Sequence, residues 1–282
     1  MYRIKIFGDS TCDLPEEILK RYDMEVMPLP VIMGEKTYQD GVDIKPDDIY
    51  NYYQSTGKLC KTSAANTNDY ISFWKPWVEQ GYEIIHFHIS AEISGSYNSA
   101  RLAAQELGHV YPIDSRVLST GIGLLMLEAC DLRDAGKSAG EIAKIMETRK
   151  TKYQTSFLVD VIEYLWKGGR CNGVAALGAN LLKLKPRIDL VDGKMISAKK
   201  YRGKTEKCFA AYADDLLAGR DDICLDRIFV THSGIDQKII DLAVSKVREH
   251  QPGVKEIFVT RAGCTISCHC GPGTLGILYL YK

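Results

Sequence analysis

Short apolar runs alternate with segments whose apolar residues recur every three or four positions through the first half of the chain. The two periods read as strand followed by helix. Residues 4–7 form a short apolar strand that stops at Gly8-Asp9-Ser10. Asp13-Leu14-Pro15-Glu16-Glu17 then opens a helix, with Asp13 as its cap and acidic residues in its first turn. Residues 25–33 read as one strand, which Gly34 turns into a second over residues 36–39. Pro46 opens a helix from a tolerated first-turn position, and residues 68–80 form another whose end is blurred by Pro76. Residues 83–89 alternate as a strand, 96–107 are helical, 109–113 are a strand, and 120–134 and 139–150 are helices. This rhythm predicts a parallel sheet covered by helices.

The pattern changes in the second half. An apolar helix over residues 161–166 is closed by Gly168-Gly169. Residues 187–191 and 194–198 flank Asp192-Gly193, a strong hairpin signal. A helix near 206–217 precedes a strand (227–231), a helix (235–249), a strand (256–260) and a final strand (275–281). Hairpins mixed with helices imply an α+β unit with a mixed or antiparallel sheet. The expected organisation is therefore an α/β protein of two domains. An N-terminal parallel-sheet domain spans residues 1–150 and a C-terminal α+β domain spans 151–282.

A chain of 282 residues suits two such domains and is long enough to fold without disulfide staples. Its nine cysteines, an odd number, read as reduced thiols buried in a cytosolic protein. Lys plus Arg and Asp plus Glu each number 36, so the formal net charge is zero. The longest basic stretch, Lys199-Lys200-Tyr201-Arg202-Gly203-Lys204, is too short to neutralise a run of phosphates, which argues against nucleic acid as a partner. The N-terminal residues carry no apolar signal region, and no apolar run approaches the ~20 residues of a membrane helix. The expectation is a cytoplasmic protein with no stable membrane insertion, and transient membrane contact at most.

Small polar clusters fall where the expected strands end: Asp9-Ser10-Thr11, Thr62-Ser63-Ala64-Ala65-Asn66, residues 90–96, and Asp114-Ser115. In open parallel sheets ligands bind beyond the carboxyl ends of the strands. Ser94-Gly95-Ser96 precedes a helix, where hydroxyls and free N–H groups suit a carboxylate or phosphate; simple helix capping is the plainer alternative. Arg170 follows the Gly168-Gly169 turn, where a guanidinium contacts an anion or merely faces water.

Other chemistries are weaker. Ser94 and Ser96 lie outside any Gly-x-Ser-x-Gly elbow, although six histidines leave a base available for a Ser-His hydrolase. His86 and His88 share one face of a strand, and Cys264, Cys268, His269 and Cys270 crowd one turn. Neither group has the paired spacing of a zinc site, so packing or ligand contact is preferred and no metal is expected. Gly271-Pro272-Gly273-Thr274-Leu275-Gly276 spells a dinucleotide fingerprint, but only six residues follow and they read as a strand, so no cofactor is inferred. No P-loop motif offers a site for ATP.

Asp9-Ser10-Thr11-Cys12-Asp13-Leu14, Lys61-Thr62-Ser63, residues 89–100 (Ile-Ser-Ala-Glu-Ile-Ser-Gly-Ser-Tyr-Asn-Ser-Ala), Tyr164-Leu165-Trp166-Lys167-Gly168-Gly169-Arg170 and residues 269–276 together resemble the DegV family across nearly the whole chain. Cys12 and Ala64-Ala65-Asn66 depart from its usual Ala and Gln-Pro-Ser. The resemblance implies a two-domain α/β fold enclosing a lipid. Some members are the fatty-acid-binding subunit of bacterial fatty acid kinase. Such a subunit has no catalysis of its own; it presents the acyl carboxylate to a separate ATP-dependent kinase, and the acyl phosphate enters phospholipid synthesis. On this resemblance Thr62, Ser94 and His269 hydrogen-bond the carboxylate, helped by the backbone at Gly95 and Ser96, while Arg170 and Arg202 face the kinase or the transferred phosphoryl group. A lipid hydrolase or acyl transferase using Ser94 or Ser96 with His269, and a lipid sensor without a kinase, are the rival readings.

Overall fold

The central strands of the first half run buried into the core and end on a polar residue, Asp9, His88 or Asp114. In the computed structural model, which describes residues 3–171 and 184–282, the strands of this half are β1 (Arg3–Asp9), β2 (Met24–Met27), β3 (Pro30–Met33), β4 (Lys36–Gln39), β5 (Lys61–Thr62), β6 (Tyr82–His88) and β7 (Val110–Asp114). Four of them form a wholly parallel sheet in the order β2-β1-β6-β7. The other three form an antiparallel sheet in the order β4-β3-β5, which fixes Thr62 opposite Val31. The single strand expected over 25–33 is thus two strands in two sheets. Pro28 lies between them, and a proline has no N–H to give to a ladder.

The helices are α1 (Glu16–Arg21), α2 (Pro46–Thr56), α3 (Thr67–Glu79), α4 (Ser96–Leu107), α5 (Thr120–Asp134), α6 (Ala139–Arg149), α7 (Ile162–Gly168), α8 (Thr205–Leu217), α9 (Gln237–His250) and α10 (Cys264–Cys270). Asp13 does not cap α1. Pro15 occupies the cap position without a side-chain bond. Asp13 instead turns inward with φ 53, is buried, and accepts the Gly263 N–H at 2.8 Å and the Ser119 hydroxyl. Two donors brought from distant sequence outcompete the local amides.

The second half adds β8 (Tyr153–Gln154), β9 (Ser156–Leu158), β10 (Leu184–Val191), β11 (Lys194–Arg202), β12 (Ile223–His232), β13 (Glu256–Arg261) and β14 (Leu275–Tyr281). Their sheet runs β11-β10-β9-β14-β12-β13, with β8 also on β14. Only β12 and β13 pair in parallel, so the sheet is mixed, as expected. The β10–β11 turn places Asp192 at φ 49 and Gly193 at φ 79, the left-handed pair that a two-residue hairpin needs.

One helix joins the two sheets. Ten of the 15 residues of α5 are buried, as befits a helix that is apolar on all sides from Gly121 to Leu127. It packs on β1 and β6 on one side and on β12 and β14 on the other. Gly121 and Gly123 allow this close approach. A Cβ on Gly123 would stand 2.6 Å from Leu14, and one on Gly121 would stand 2.6 Å from Thr155 Oγ1. Ile6, Phe87, Met126, Phe229 and Leu278 therefore belong to one continuous core. Among the described residues no helix is long and apolar enough to cross a membrane.

Candidate functional site

The carboxyl ends of the parallel strands point at the mixed sheet across α5, and a cavity opens between them. The space inside its lining amounts to ≈ 1000 Å³ counted out to its mouth. Ile89, Leu118, Phe157, Leu165, Ile266 and Leu278 make most of its wall apolar. Thr62, Ser94, Gly95, Arg170 and His269 all line it, among other polar residues such as Thr231 and Ser233. An apolar cavity with a few converging polar groups is the ordinary form of a small-molecule site.

Thr62 and His269 meet directly, with Oγ1 and Nε2 2.8 Å apart. The β3–β5 ladder holds the threonine, and α10 carries the histidine. Burial, then the positive charge of Arg170, lowers the His269 pKa to about 4, so the imidazole is neutral at neutral pH. Its Nδ1 is buried with no hydrogen-bond partner among the described residues and lies against Gly168, where a Cβ would stand 2.6 Å away. Ser94 Oγ lies 3.1 Å from Ser96 Oγ and accepts the Ser96 N–H at 3.2 Å. Ser96 itself is fully buried behind the wall and does not line the cavity. Its side chain belongs to the support of the site, bonded to Ser94. Arg170 is exposed and donates to the Gly168 carbonyl at 2.7 Å. Arg202 is exposed on β11 and stands outside the lining.

Behind Ser96 lies a fully buried polar cluster built from β1, β6 and α3. Asp9 Oδ1 accepts the Tyr70 hydroxyl at 2.9 Å and His86 Nε2–H at 3.1 Å, and its Oδ2 accepts His88 Nδ1–H at 3.1 Å. Trp74 Nε1 donates to His86 Nδ1 at 2.8 Å. That last bond fixes the tautomer: Nδ1 accepts, so Nε2 carries the proton aimed at Asp9. Burial acts to raise the Asp9 pKa, but the charge of His88 and the hydrogen bonds from both histidines outweigh it and hold the carboxyl well below its usual range. Burial, then the charge of His88, lowers His86 to about 4. The three groups have metal-like spacing, with candidate ligand atoms within 4.8 Å of one another. Yet the histidine rings stack at 4.2 Å and 11°, and His86 offers Asp9 a proton, not a lone pair. The donor set does not fit a cation.

Sequence reasoning missed the group that makes α10 a helix. Residues 264–270 read as a turn, but Asp40 accepts the Cys264 N–H at 2.7 Å and the Thr265 N–H at 2.9 Å. Asp13 takes the Gly263 N–H just before it. Two carboxyl groups from the first half thus close the amino end of a seven-residue helix of the second. Nothing in the local sequence marks Asp40 for this role. The helix also disperses its cysteines. Cys264 donates to the Ile44 carbonyl at 3.3 Å, whereas His269 faces the cavity.

Burial raises the Asp13 pKa to about 8, against the hydrogen bonds from Ser119 and Gly263. Because the folded value exceeds the unfolded one, the native state holds the extra proton. Asp13 therefore contributes stability at low pH that is lost as pH rises through about 8. His86 and His269 act in the opposite sense, but only below their ordinary value of 6.5. Chemical denaturation between pH 7 and 8.5 should show stability falling, at a slope of up to about 1.4 kcal/mol per pH unit. Asp13→Asn should flatten that slope; an unchanged slope in the variant would rule Asp13 out as its source.

The family described as uncharacterised protein, DegV family, matches residues 3–282. The chain belongs to the DegV family. A DegV domain-containing protein of Clostridium perfringens is 31% identical over 284 residues, covering 99% of both chains. A Thermotoga maritima protein described as a fatty acid-binding protein is 29% identical, covering 97% of this chain and 96% of its own. A DegV family protein from Thermus thermophilus, solved for its fatty acid binding, superposes with a TM-score of 0.88 at 30% identity, covering 99% of this chain and all of that one. The Streptococcus pneumoniae fatty acid kinase (Fak) B3 protein loaded with linoleic acid has the same fold, with a TM-score of 0.85 at 22% identity over 99% of this chain and 100% of its own.

Proposed function

We propose that this DegV protein binds a long-chain fatty acid in the cavity, holding the carboxylate at Thr62, His269 and Ser94. The observation that carries the reading is the 2.8 Å Thr62–His269 pair on the wall of a mainly apolar cavity. In its Nε2–H tautomer the neutral imidazole donates to Thr62, which leaves the threonine hydroxyl free to donate to the carboxylate. Ser94 and the Gly95 backbone stand on the same wall. An unpaired buried carboxylate costs several kcal/mol, roughly, so donors at the head are obligatory. The tail supplies the bulk of the affinity at about 0.8 kcal/mol per buried methylene. Relatives described as fatty-acid-binding support the same ligand class.

The finer reading is that the protein is a carrier with no catalytic activity of its own and no cofactor, which shows the carboxylate to a separate ATP-dependent kinase. Arg170 supports it. This arginine is exposed and lines the cavity, four residues after the 54% exposed Trp166 on α7. The hydrolase reading lacks its central contact. Ser94 pairs with Ser96 and His269 with Thr62, so no serine is bonded to the imidazole.

Native mass spectrometry followed by denaturing extraction tests the reading. A stoichiometric fatty acid on the purified protein is expected, with Ser94→Ala and His269→Ala retaining tenfold less or worse, about 1.4 kcal/mol each. A protein that stays apo after incubation with fatty acids would sink it. Arg170→Ala should keep its lipid and lose acyl phosphate formation with kinase, ATP and magnesium; loss of the lipid itself would move Arg170 into the pocket.

A further inference from the structure

Two of the nine cysteines meet across the fold. Cys60 immediately precedes the strand that carries Thr62, and Cys268 immediately precedes His269 on α10. Their thiols hydrogen-bond one another. They lie in one apolar cluster with Val31 and Tyr164, with Cys60 6% and Cys268 2% exposed. Other thiols spend their hydrogen bonds elsewhere: Cys264 on the Ile44 carbonyl and Cys130 on the Tyr22 carbonyl. The two chain positions are too far apart in sequence for any motif to have paired them. The head of the cavity is thus bracketed by two sulfur atoms in contact, one beside each member of the Thr62–His269 pair.

We propose that Cys60 and Cys268 form a reversible disulfide that couples fatty acid binding to hydroperoxides. The consequence for the ligand rests on the fatty-acid reading above; the disulfide itself does not. Cys268 donates its S–H toward Cys60, which lowers the Cys60 pKa and raises that of Cys268. Cys60 is also the less buried of the two, and its sulfur reacts first. Its thiolate attacks the terminal oxygen of a hydroperoxide, the O–O bond breaks, and the alcohol (water, from hydrogen peroxide) leaves with the thiol proton. The Cys268 sulfur then attacks the Cys60 sulfenic acid, the S–O bond breaks, and hydroxide leaves as water with the Cys268 proton. Two thiols and one hydroperoxide become one disulfide, one alcohol and one water, a two-electron oxidation of sulfur balanced by reduction of the peroxide. In a reducing compartment such a bond is transient, reversed by thiols.

The bond matters because it shortens the gap between two elements that share the head group. A hydrogen-bonded thiol pair contracts by roughly 1.5 Å to reach the ~2.05 Å of a disulfide. Cys60 is two residues from Thr62 and Cys268 is adjacent to His269, so the contraction falls on the 2.8 Å contact that the carboxylate needs. The disulfide is therefore expected to weaken fatty acid binding.

The test treats the purified full chain with hydrogen peroxide and maps its peptides without reduction, while fatty acid binding is titrated before and after. A cross-linked Cys60–Cys268 peptide and a mass lower by about 2 Da are expected. Affinity should drop about tenfold and recover on adding dithiothreitol. Cys60→Ser and Cys268→Ser, bound to lipid in the reduced state as the parent is, should lose this peroxide response. An unaltered count of alkylatable thiols, or cross-links between other cysteines only, overturns the proposal. So does a Cys60–Cys268 disulfide that leaves affinity unchanged. If the reduced protein binds no fatty acid, the functional reading fails and the peptide map still judges the disulfide. If either serine variant fails to fold, the parent chain's map and titration decide alone.

Discussion

Gly168→Ala should strip the protein of most of its fatty acid while leaving α7 intact. By helix propensity the change is favourable, since alanine is preferred over glycine in a helix by about 1 kcal/mol. The cost falls elsewhere. The new Cβ would stand 2.6 Å from His269 Nδ1, far inside van der Waals contact. The ring cannot retreat without giving up the 2.8 Å contact between its Nε2 and Thr62. The carboxylate then loses two organised donors at once. A fall in fatty acid affinity of at least tenfold is expected, about 1.4 kcal/mol or more, by titration of the delipidated protein. Affinity within twofold of the parent would show that the Thr62–His269 contact does not hold the head group.

Asp9→Ala should have the largest effect on stability. It removes the shared acceptor of Tyr70, His86 and His88 in a cluster with no access to water. Breaking one partner out of a buried charged network costs about 3–5 kcal/mol, a large part of the stability of an ordinary domain. Asp9→Asn should be milder, about 1–2 kcal/mol. The amide oxygen still accepts from Tyr70 and His86, and His88 can change tautomer to accept the new N–H through Nδ1. Urea denaturation of the three proteins checks the order. An alanine variant within about 1 kcal/mol of the parent would mean that the cluster is not held together by its carboxylate. Ser96 links this cluster to Ser94, so the alanine variant should also retain less lipid than the asparagine one.

Periodicity alone located most elements, because a strand or helix with one buried face must repeat its apolar residues at the period of its backbone. Residues 96–107, 120–134 and 275–281 run as expected. The Asp192-Gly193 hairpin was legible for a local reason, since left-handed backbone is strongly favoured by so few residue types. Thr62, Ser94 and His269 were legible as short polar runs in recognisable motifs. What the sequence could not show was which distant groups would meet. Asp13 reads as a helix cap, the role open to it locally, and Asp40 carries no signal of its own. In the fold both turn to the amino end of α10, where free amides from 250 and 224 residues away give a buried carboxyl group more than local solvent does. The same holds for Gly168 beside His269 and Cys60 beside Cys268. Local chemistry fixes which conformations a segment can adopt; only the packing of two sheets on one buried helix decides which side chains share a site, because those contacts are set by chain closure over hundreds of residues and leave no period in the sequence.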